Sequence, residues 1–307
     1  MKVLAIDVGG TAVKYAMIDE NCILTEKGFE PTAQAKNFED FVNLLVKIFN
    51  EQPVHPEGVT ISLPGFADSV NGYCISGGSL DYNIGKPLAE VLREKIQVPV
   101  FLENDGKCAV MAEYWKGSLQ GCDVGVVFAL GTAVAGGIII DGKVLKGSHF
   151  AASEFSFLCA SREKWTNSAS CSVGMTCSAV RMIDTICKAL PEMKLTDGYD
   201  VFRVIREKHP VAMEIYNEFL DEIAQQIYNL QIILDPEVIA IGGGISAQQM
   251  LIDDIREAYL SFFHKGFWTK DNTYLPRTRI EACSFRNDAN LIGAMYHYLQ
   301  RVGVKHE

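Results

Sequence analysis

The sequence predicts an α/β protein of two related lobes, and three observations carry that expectation. At 307 residues the chain is long for a single hydrophobic core, since such cores stop growing at roughly 250 to 300 residues. Apolar runs of strand length alternate with apolar residues at helical spacing, the pattern of helices packed on sheets. Gly10-Thr11-Ala12-Val13 near the start also recurs letter for letter as Gly131-Thr132-Ala133-Val134, which points to an internal duplication.

Taken in order, Val3-Leu4-Ala5-Ile6 reads as a buried strand, Asp7 to Thr11 as a glycine turn, and Val13 to Ile18 as a second strand ending near Glu20-Asn21. That is a hairpin. Phe38, Phe41, Val42, Leu45, Ile48 and Phe49 recur at helical spacing, as do Leu88, Val91, Leu92 and Ile96, with strands at Gly58 to Leu63 and Val98 to Leu102 between and after them. Glu103-Asn104-Asp105 then opens a helical segment with Ala109, Ala112 and Glu113. Gly117 to Asp123 gathers glycine and polar residues and marks the lobe boundary. The expected division is residues 1–118 for the first lobe, with 290–307 returning to it, and 119–289 for the second. Val124 to Ile140 is uncharged and nearly long enough to span a membrane, but Gly131, Thr132, Gly136 and Gly137 split it into two strands around a turn. Each copy of the repeated phrase runs on through an apolar strand to an aspartate, Asp19 or Asp141, and a polar turn. Ile215, Phe219, Ile223, Ile227, Leu230 and Leu234 mark a long helix that Asp235-Pro236 ends. Strand Val238 to Ile241 runs into Gly242-Gly243-Gly244, and helices are expected over Gln248 to Phe263 and Ala289 to Leu299.

With 48% hydrophobic and 21% charged residues, the chain lies far from the composition of disordered proteins. A formal charge of -10 argues against a nucleic-acid partner, because an acidic surface repels phosphates. Any phosphate must be held locally, by backbone amides or a metal ion. No basic block suggests a membrane anchor. After Lys2 only Val3 to Ile6 precede Asp7, too short for a signal sequence, so a cytoplasmic location is expected. The nine cysteines include no Cys-x-x-Cys pair, which favours reduced, mostly buried thiols. Cys159, Cys171 and Cys177 with His149 match no usual zinc spacing, and Trp115, Trp165 and Trp268 read as core or lobe-edge aromatics.

Asp7-Val8-Gly9-Gly10-Thr11 ends an apolar strand, where paired glycines let amides turn toward an anion and a carboxylate could hold magnesium. A plain hairpin turn reads the same way. Neither a Walker motif nor a Rossmann fingerprint is present. The second loop, Gly131 to Gly137, has the same chemistry, and two such turns could grip one nucleotide's phosphate chain. Three consecutive glycines after a strand, Gly242 to Gly244, let a flat ring or a phosphate approach bare backbone. Asp105 reads either as the N-cap of the helix it opens or as a general base kept ionised by that helix's N-terminus.

Together these residues resemble the ROK family of bacterial sugar kinases and repressors, within the actin, hexokinase and Hsp70 superfamily. The resemblance runs almost end to end through Asp7-Val8-Gly9-Gly10-Thr11 with Lys14, Ser62-Leu63-Pro64-Gly65, Glu103-Asn104-Asp105, Gly131-Thr132 with Gly136-Gly137, Glu154, Ile241 to Gly244, and Asp288 to Ala294. It implies two lobes of ribonuclease H-like, actin-like ATPase fold with a cleft between them. It implies an ATP-dependent kinase acting on a hydroxyl of a hexose or β-glucoside. Asp7 would organise magnesium; Gly9, Gly10 and Thr11 with Lys14, and Gly131, Thr132 and Ala133, would contact the phosphates; Gly242, Gly243 and Gly244 would lie along the nucleotide. Gly65, Asn104, Asp105 and Glu154 would line the sugar site, with Asp105 as base. The implied partners are ATP, Mg2+ and a small sugar, with no nucleic acid or membrane, and a homodimer is the candidate assembly.

The chain departs from the family in three places. Phe157 stands where family glucokinases carry a histidine, which puts glucose specificity in doubt. The family's cysteine-rich zinc motif is replaced by a Ser- and Cys-rich stretch from Ser168 to Cys177, so no structural zinc is expected and the third sugar-binding glutamate is not identifiable. In this the chain looks nearer to members that phosphorylate β-glucosides. Ala133 and Ala135 replace glycines, and their methyl groups beside a phosphate could weaken ATP binding. The rival reading is a catalytically weak sugar-binding or regulatory ROK protein; a DNA-binding repressor is disfavoured because the chain opens directly on its first strand.

Overall fold

In the computed structural model, which describes residues 1–160, 171–265 and 275–304, the opening hairpin is β1 (Lys2–Val8) and β2 (Ala12–Asp19), antiparallel in an unbroken register from Lys2 opposite Asp19 to Val8 opposite Val13. Six consecutive buried residues, Val3 to Val8, make β1 a central strand with both faces covered. β3 (Leu24–Pro31) follows as the sheet edge. It was not expected, because Glu26, Lys27 and Glu30 break any apolar alternation. A largely exposed edge strand needs none.

The chain divides into two compact units, Met1–Gln120 with Lys143–Ser153 and Asn287–Glu307, and Gly121–Gly142 with Glu154–Arg286. In the first, α1 (Phe38–Asn50) is capped by Asn37, whose side chain accepts from Asp40 N–H, and buries Phe41, Val42, Leu45 and Ile48. The chain continues through β4 (Val59–Leu63), the ribbon β5 (Ala67–Asp68) and β6 (Tyr73–Cys74), α2 (Leu88–Ile96), β7 (Val100–Asn104) and α3 (Asp105–Lys116). The sheet order is β3-β2-β1-β4-β7, with β1, β4 and β7 mutually parallel. Strand β7 lies two residues later than expected, because Gln97 ends α2 in a left-handed conformation and Pro99 follows.

The closing helix (Ala289–Val302) also belongs to this unit and is buried along most of its length. It packs on α3 so closely that a Cβ at Gly293 would overlap the Cys108 carbonyl. Truncating a fully buried anchor such as Phe41 would cost about 3–5 kcal/mol.

The second unit opens with a hairpin, β8 (Val124–Leu130) and β9 (Val134–Ile140). After it, β10 (Lys143–Val144) begins the segment assigned to the first unit. The helices α4 (Val173–Thr176), α5 (Ala179–Ala189), α6 (Gly198–Arg206) and α7 (Pro210–Leu234) precede β11 (Val238–Gly242), α8 (Gln249–Lys265) and β12 (Arg279–Ala282). Within the unit the strands lie in the order β9-β8-β11-β12, with β8, β11 and β12 parallel. This matches β2-β1-β4-β7 in order and direction. Val13 and Val134 are each the first paired residue after their turn, so the repeated phrase occupies the same place in both hairpins. Among the described residues no helix is long and apolar enough to cross a membrane.

Candidate functional site

In the first unit the candidate residues collect at the carboxyl ends of the parallel strands, where ligands of open α/β sheets bind. Asp7, near the end of β1, is 8% exposed; its Oδ1 accepts from Ser62 Oγ at 3.0 Å and from Asn290 Nδ2 at 2.9 Å. Burial pushes its carboxyl up from the usual range, while Asn290, Ser62 and the Lys14 charge pull the other way. Lys14 stands directly opposite Asp7 in β2.

The turn between β1 and β2 is closed by Gly9 N–H donating to the Ala12 carbonyl at 2.9 Å. Thr32 braces it from β3's end, its hydroxyl donating to the Gly9 carbonyl at 2.7 Å and its N–H to that of Thr11 at 3.0 Å. Gly10 and Thr11 remain exposed at the tip.

At the end of β7 the structure separates two readings of Asp105. The N-cap is Asn104, in extended backbone, whose Oδ1 accepts from Lys107 N–H at 3.0 Å; Asp105 is already helical. The cap reading of Asp105 is therefore corrected: the strand runs two residues further than its apolar run, and the cap falls on its last residue. Asn104 Nδ2 donates to the Gly65 carbonyl at 2.9 Å and to Asp105 Oδ1 at 3.0 Å, and Gly106 N–H donates to the same Oδ1 at 2.7 Å. Both amide hydrogens of Asn104 are thus spent within the protein, and its visible work is to tie Gly65 to Asp105. Gly65 has φ +79°, and a Cβ there would meet Ser76 Oγ at 2.5 Å. No other residue fits that turn.

In the second unit, the register places Ala129 beside Gly242, so the loops after β8 and β11 are neighbours. Gly131 N–H donates to the Ala133 carbonyl at 2.9 Å. Ser178, the N-cap of α5, donates to the Thr132 carbonyl at 2.8 Å and Ser156 Oγ accepts from Val134 N–H at 2.9 Å, so two hydroxyls hold this turn as Thr32 holds the first. Neither Ala133 nor Ala135 has a positive φ, so the backbone does not call for glycine at either.

The three glycines differ in what they do. Gly243 has φ +87° and lies against the Leu130 carbonyl, where a Cβ would overlap it; Gly242 is packed on Ala129 and Cys283. Gly244 has nothing within 4 Å of a would-be Cβ and presents bare backbone to solvent. Glu154 stands at the start of the 3-10 turn Phe155–Phe157, which Phe155 anchors beneath Gly136. Phe157 is 74% exposed.

Sequence reasoning assigned no role to Ser62, Asn290, Thr32, Ser156 or Ser178. Ser62 and Asn290 lie inside recognised motifs, whereas the three bracing hydroxyls gave no signal. Among the described residues no group of three or more His, Cys, Asp or Glu is arranged to hold a metal. Cys171 and Cys177 are buried and Cys159 is exposed. Trp115 is buried beside Tyr296, while Trp165, Trp268 and residues 168–170 lie outside the described residues. A cavity of about 920 Å³ between α4, α5, α7 and α8 contains none of the candidate residues and reaches the second turn only through Ser178.

Comparison with known proteins gives this geometry its context. A β-glucoside kinase of Listeria innocua is 29% identical over 302 residues, covering 98% of each chain. The crystal structure of a ROK family protein from Streptococcus pneumoniae in complex with sucrose superposes with a TM-score of 0.86 at 25% identity, covering 99% of each chain. A ROK glucokinase from Streptomyces griseus, solved with glucose and AMPPNP, shares the fold at 22% identity and a TM-score of 0.80, covering 96% of this chain and 98% of its own. Since the ROK family profile matches residues 3–301, nearly the whole length, this chain belongs to the ROK family.

Proposed function

We propose that this chain is an ATP-dependent sugar kinase that moves the γ-phosphoryl group of ATP to a hydroxyl of a hexose or β-glucoside, with its two units forming the lobes of an actin-like ATPase fold around a cleft. One observation carries the reading. In a chain whose relatives bear the names of sugar kinases, a half-buried carboxylate at a helix N-terminus, Asp105, shares one sheet edge with a glycine turn and the buried Asp7. Phosphoryl transfer asks for little else: a positioned nucleophile, a proton acceptor and neutralised phosphate charge.

The sugar hydroxyl oxygen bonds to the γ-phosphorus as the bond from that phosphorus to the β–γ bridging oxygen breaks; the hydroxyl proton goes to Asp105 and ADP leaves. Gly9, Gly10 and Thr11 with Lys14 bind phosphate from one unit, and Gly131, Thr132 and Ala133 from the other. Gly244 leaves room along the nucleotide, while Gly242 and Gly243 shape the loop that presents it. Gly65 and Glu154 line the sugar site, and Asn104 serves it by holding Gly65 and Asp105 in place. The donor set around Asp7, a carboxylate steadied by a hydroxyl and an amide, suits the magnesium ion that accompanies ATP and lowers the phosphates' negative charge.

Because Ala133 and Ala135 sit in unstrained backbone, the turn keeps its shape, which supports a working kinase over a weak sugar binder. The relative named β-glucoside kinase supports β-glucosides among the acceptors. A coupled assay of ADP release across monosaccharides and β-disaccharides tests the reading; ADP release unmoved by every sugar would count against it.

A further inference from the structure

Glu103, immediately before the Asn104-Asp105 pair, is 1% exposed. An ionised carboxylate in such a place is costly unless paired. Its Oε1 accepts the Asn104 N–H at 2.9 Å, and its Oε2 lies 2.8 Å from Lys146 Nζ. The same ammonium donates to Ser69 Oγ at 2.6 Å, and Arg301 binds the carbonyls of Ser69 and Val70. On the other side, His297 Nδ1 is 4.0 Å from Glu103 Oε2, but burial drives its pKa down to about 4, so it is neutral near pH 7 and Lys146 supplies the charge.

Lys146 does not hang from an ordinary surface loop. The residues after it include Gly147 at φ +71° and two side-chain-bearing residues in left-handed backbone, Phe150 at +60° and Ser153 at +63°. Backbone of this kind persists only when its surroundings over-determine it. The Ala152 N–H returns to the Lys146 carbonyl at 3.2 Å, and the lysine's side chain roots the loop in the first unit.

We propose that Lys146 is a positioning residue for Asp105, acting through Glu103. Lys146 fixes the Glu103 carboxylate, Glu103 fixes the Asn104 peptide, and the Asn104 side chain holds Asp105 Oδ1. The inference rests on Asp105 being the base of the kinase reading. A base displaced by about 1 Å can lose on the order of 10²-fold in rate without any change in binding elsewhere.

The test compares K146M, K146R and the double variant K146M/E103Q with the parent. K146M should lower kcat by on the order of 10²-fold while stabilisation by Mg-ATP is unchanged; K146R should restore most of the loss. The double variant should lose no more than K146M, since both changes break one coupled chain, and it replaces K146M should that variant not fold. Hydrogen exchange gives a readout independent of activity. The amides of Asn104 to Lys107 should exchange faster in K146M, with α1 unaffected. Unchanged exchange there, or a folded K146M with parental kcat, would overturn the proposal. If the parent phosphorylates no sugar, the kinase reading fails and the exchange measurement alone decides the positioning role.

Discussion

Asp105 and Asn104 are neighbours in sequence with separable tasks, and each has its own expected substitution phenotype. Asn104 provides the cap, so Asp105→Asn removes no capping bond. That variant should melt near the parent and bind Mg-ATP, yet lose about 10²- to 10⁴-fold in turnover. Asn104→Ala should instead cost about 1 kcal/mol from the cap and lower kcat as well, since Gly65 and Asp105 lose their tie. Thermal melts run beside the coupled assay separate the two. The sequence located this junction but could not assign the cap, because Asn and Asp are equally good at that position. Nor could it pair Asp7 with Ser62 and Asn290, which lie 55 and 283 positions away. Such partners are set by sheet register and by the closing helix, not by local pattern.

At the scale of elements, the loop after β11 offers a contrast between neighbouring glycines. Gly243→Ala places a methyl on the Leu130 carbonyl and forces a side chain to φ +87°, so it should destabilise the fold by at least about 1 kcal/mol. Gly244→Ala meets nothing within 4 Å and should leave stability unchanged while weakening Mg-ATP binding. Melting temperatures with and without Mg-ATP check both. The central strands and the long helices were legible because burial on both faces, or on one helical stripe, writes itself into the apolar pattern. The edge strand β3 was not, since few of its side chains are covered. The repeated Gly-Thr-Ala-Val phrase was the most informative local signal, and its equivalent position in two hairpins gives the duplication a structural counterpart.

At the scale of the whole molecule, acid stability depends on a residue just beyond the closing motif, packed beside Glu103. His297 on the closing helix is held neutral by burial, with a pKa near 4 against an ordinary 6.5, and faces Glu103 on β7, Lys146 and Arg301. Between those values the unfolded chain binds a proton that the folded chain refuses, so stability is full above about pH 6.5 and falls as pH drops toward 4, by up to about 3 kcal/mol. Glu103, held below the usual carboxylate range despite its burial by His297 and Lys146, adds a loss at still lower pH. Asp7, shifted upward, opposes it. Denaturant titrations at pH 7 and pH 5 should show the drop in the parent and a smaller one in His297→Gln.

The family and the α/β class were readable from motif order, but the second unit's smaller helices were not, because α5 and α6 each show only a short apolar stripe. The central claim is that the chain phosphorylates a sugar with Asp105 as base. Its most direct test is to incubate the protein with Mg-ATP and a β-glucoside or hexose and to follow phosphate onto the sugar, beside Asp105→Asn. Sugar phosphate that forms with the parent and nearly disappears with a folded, ATP-binding Asp105→Asn is the predicted result. Parental turnover by that variant, or no phosphorylated sugar from the parent, would contradict the account.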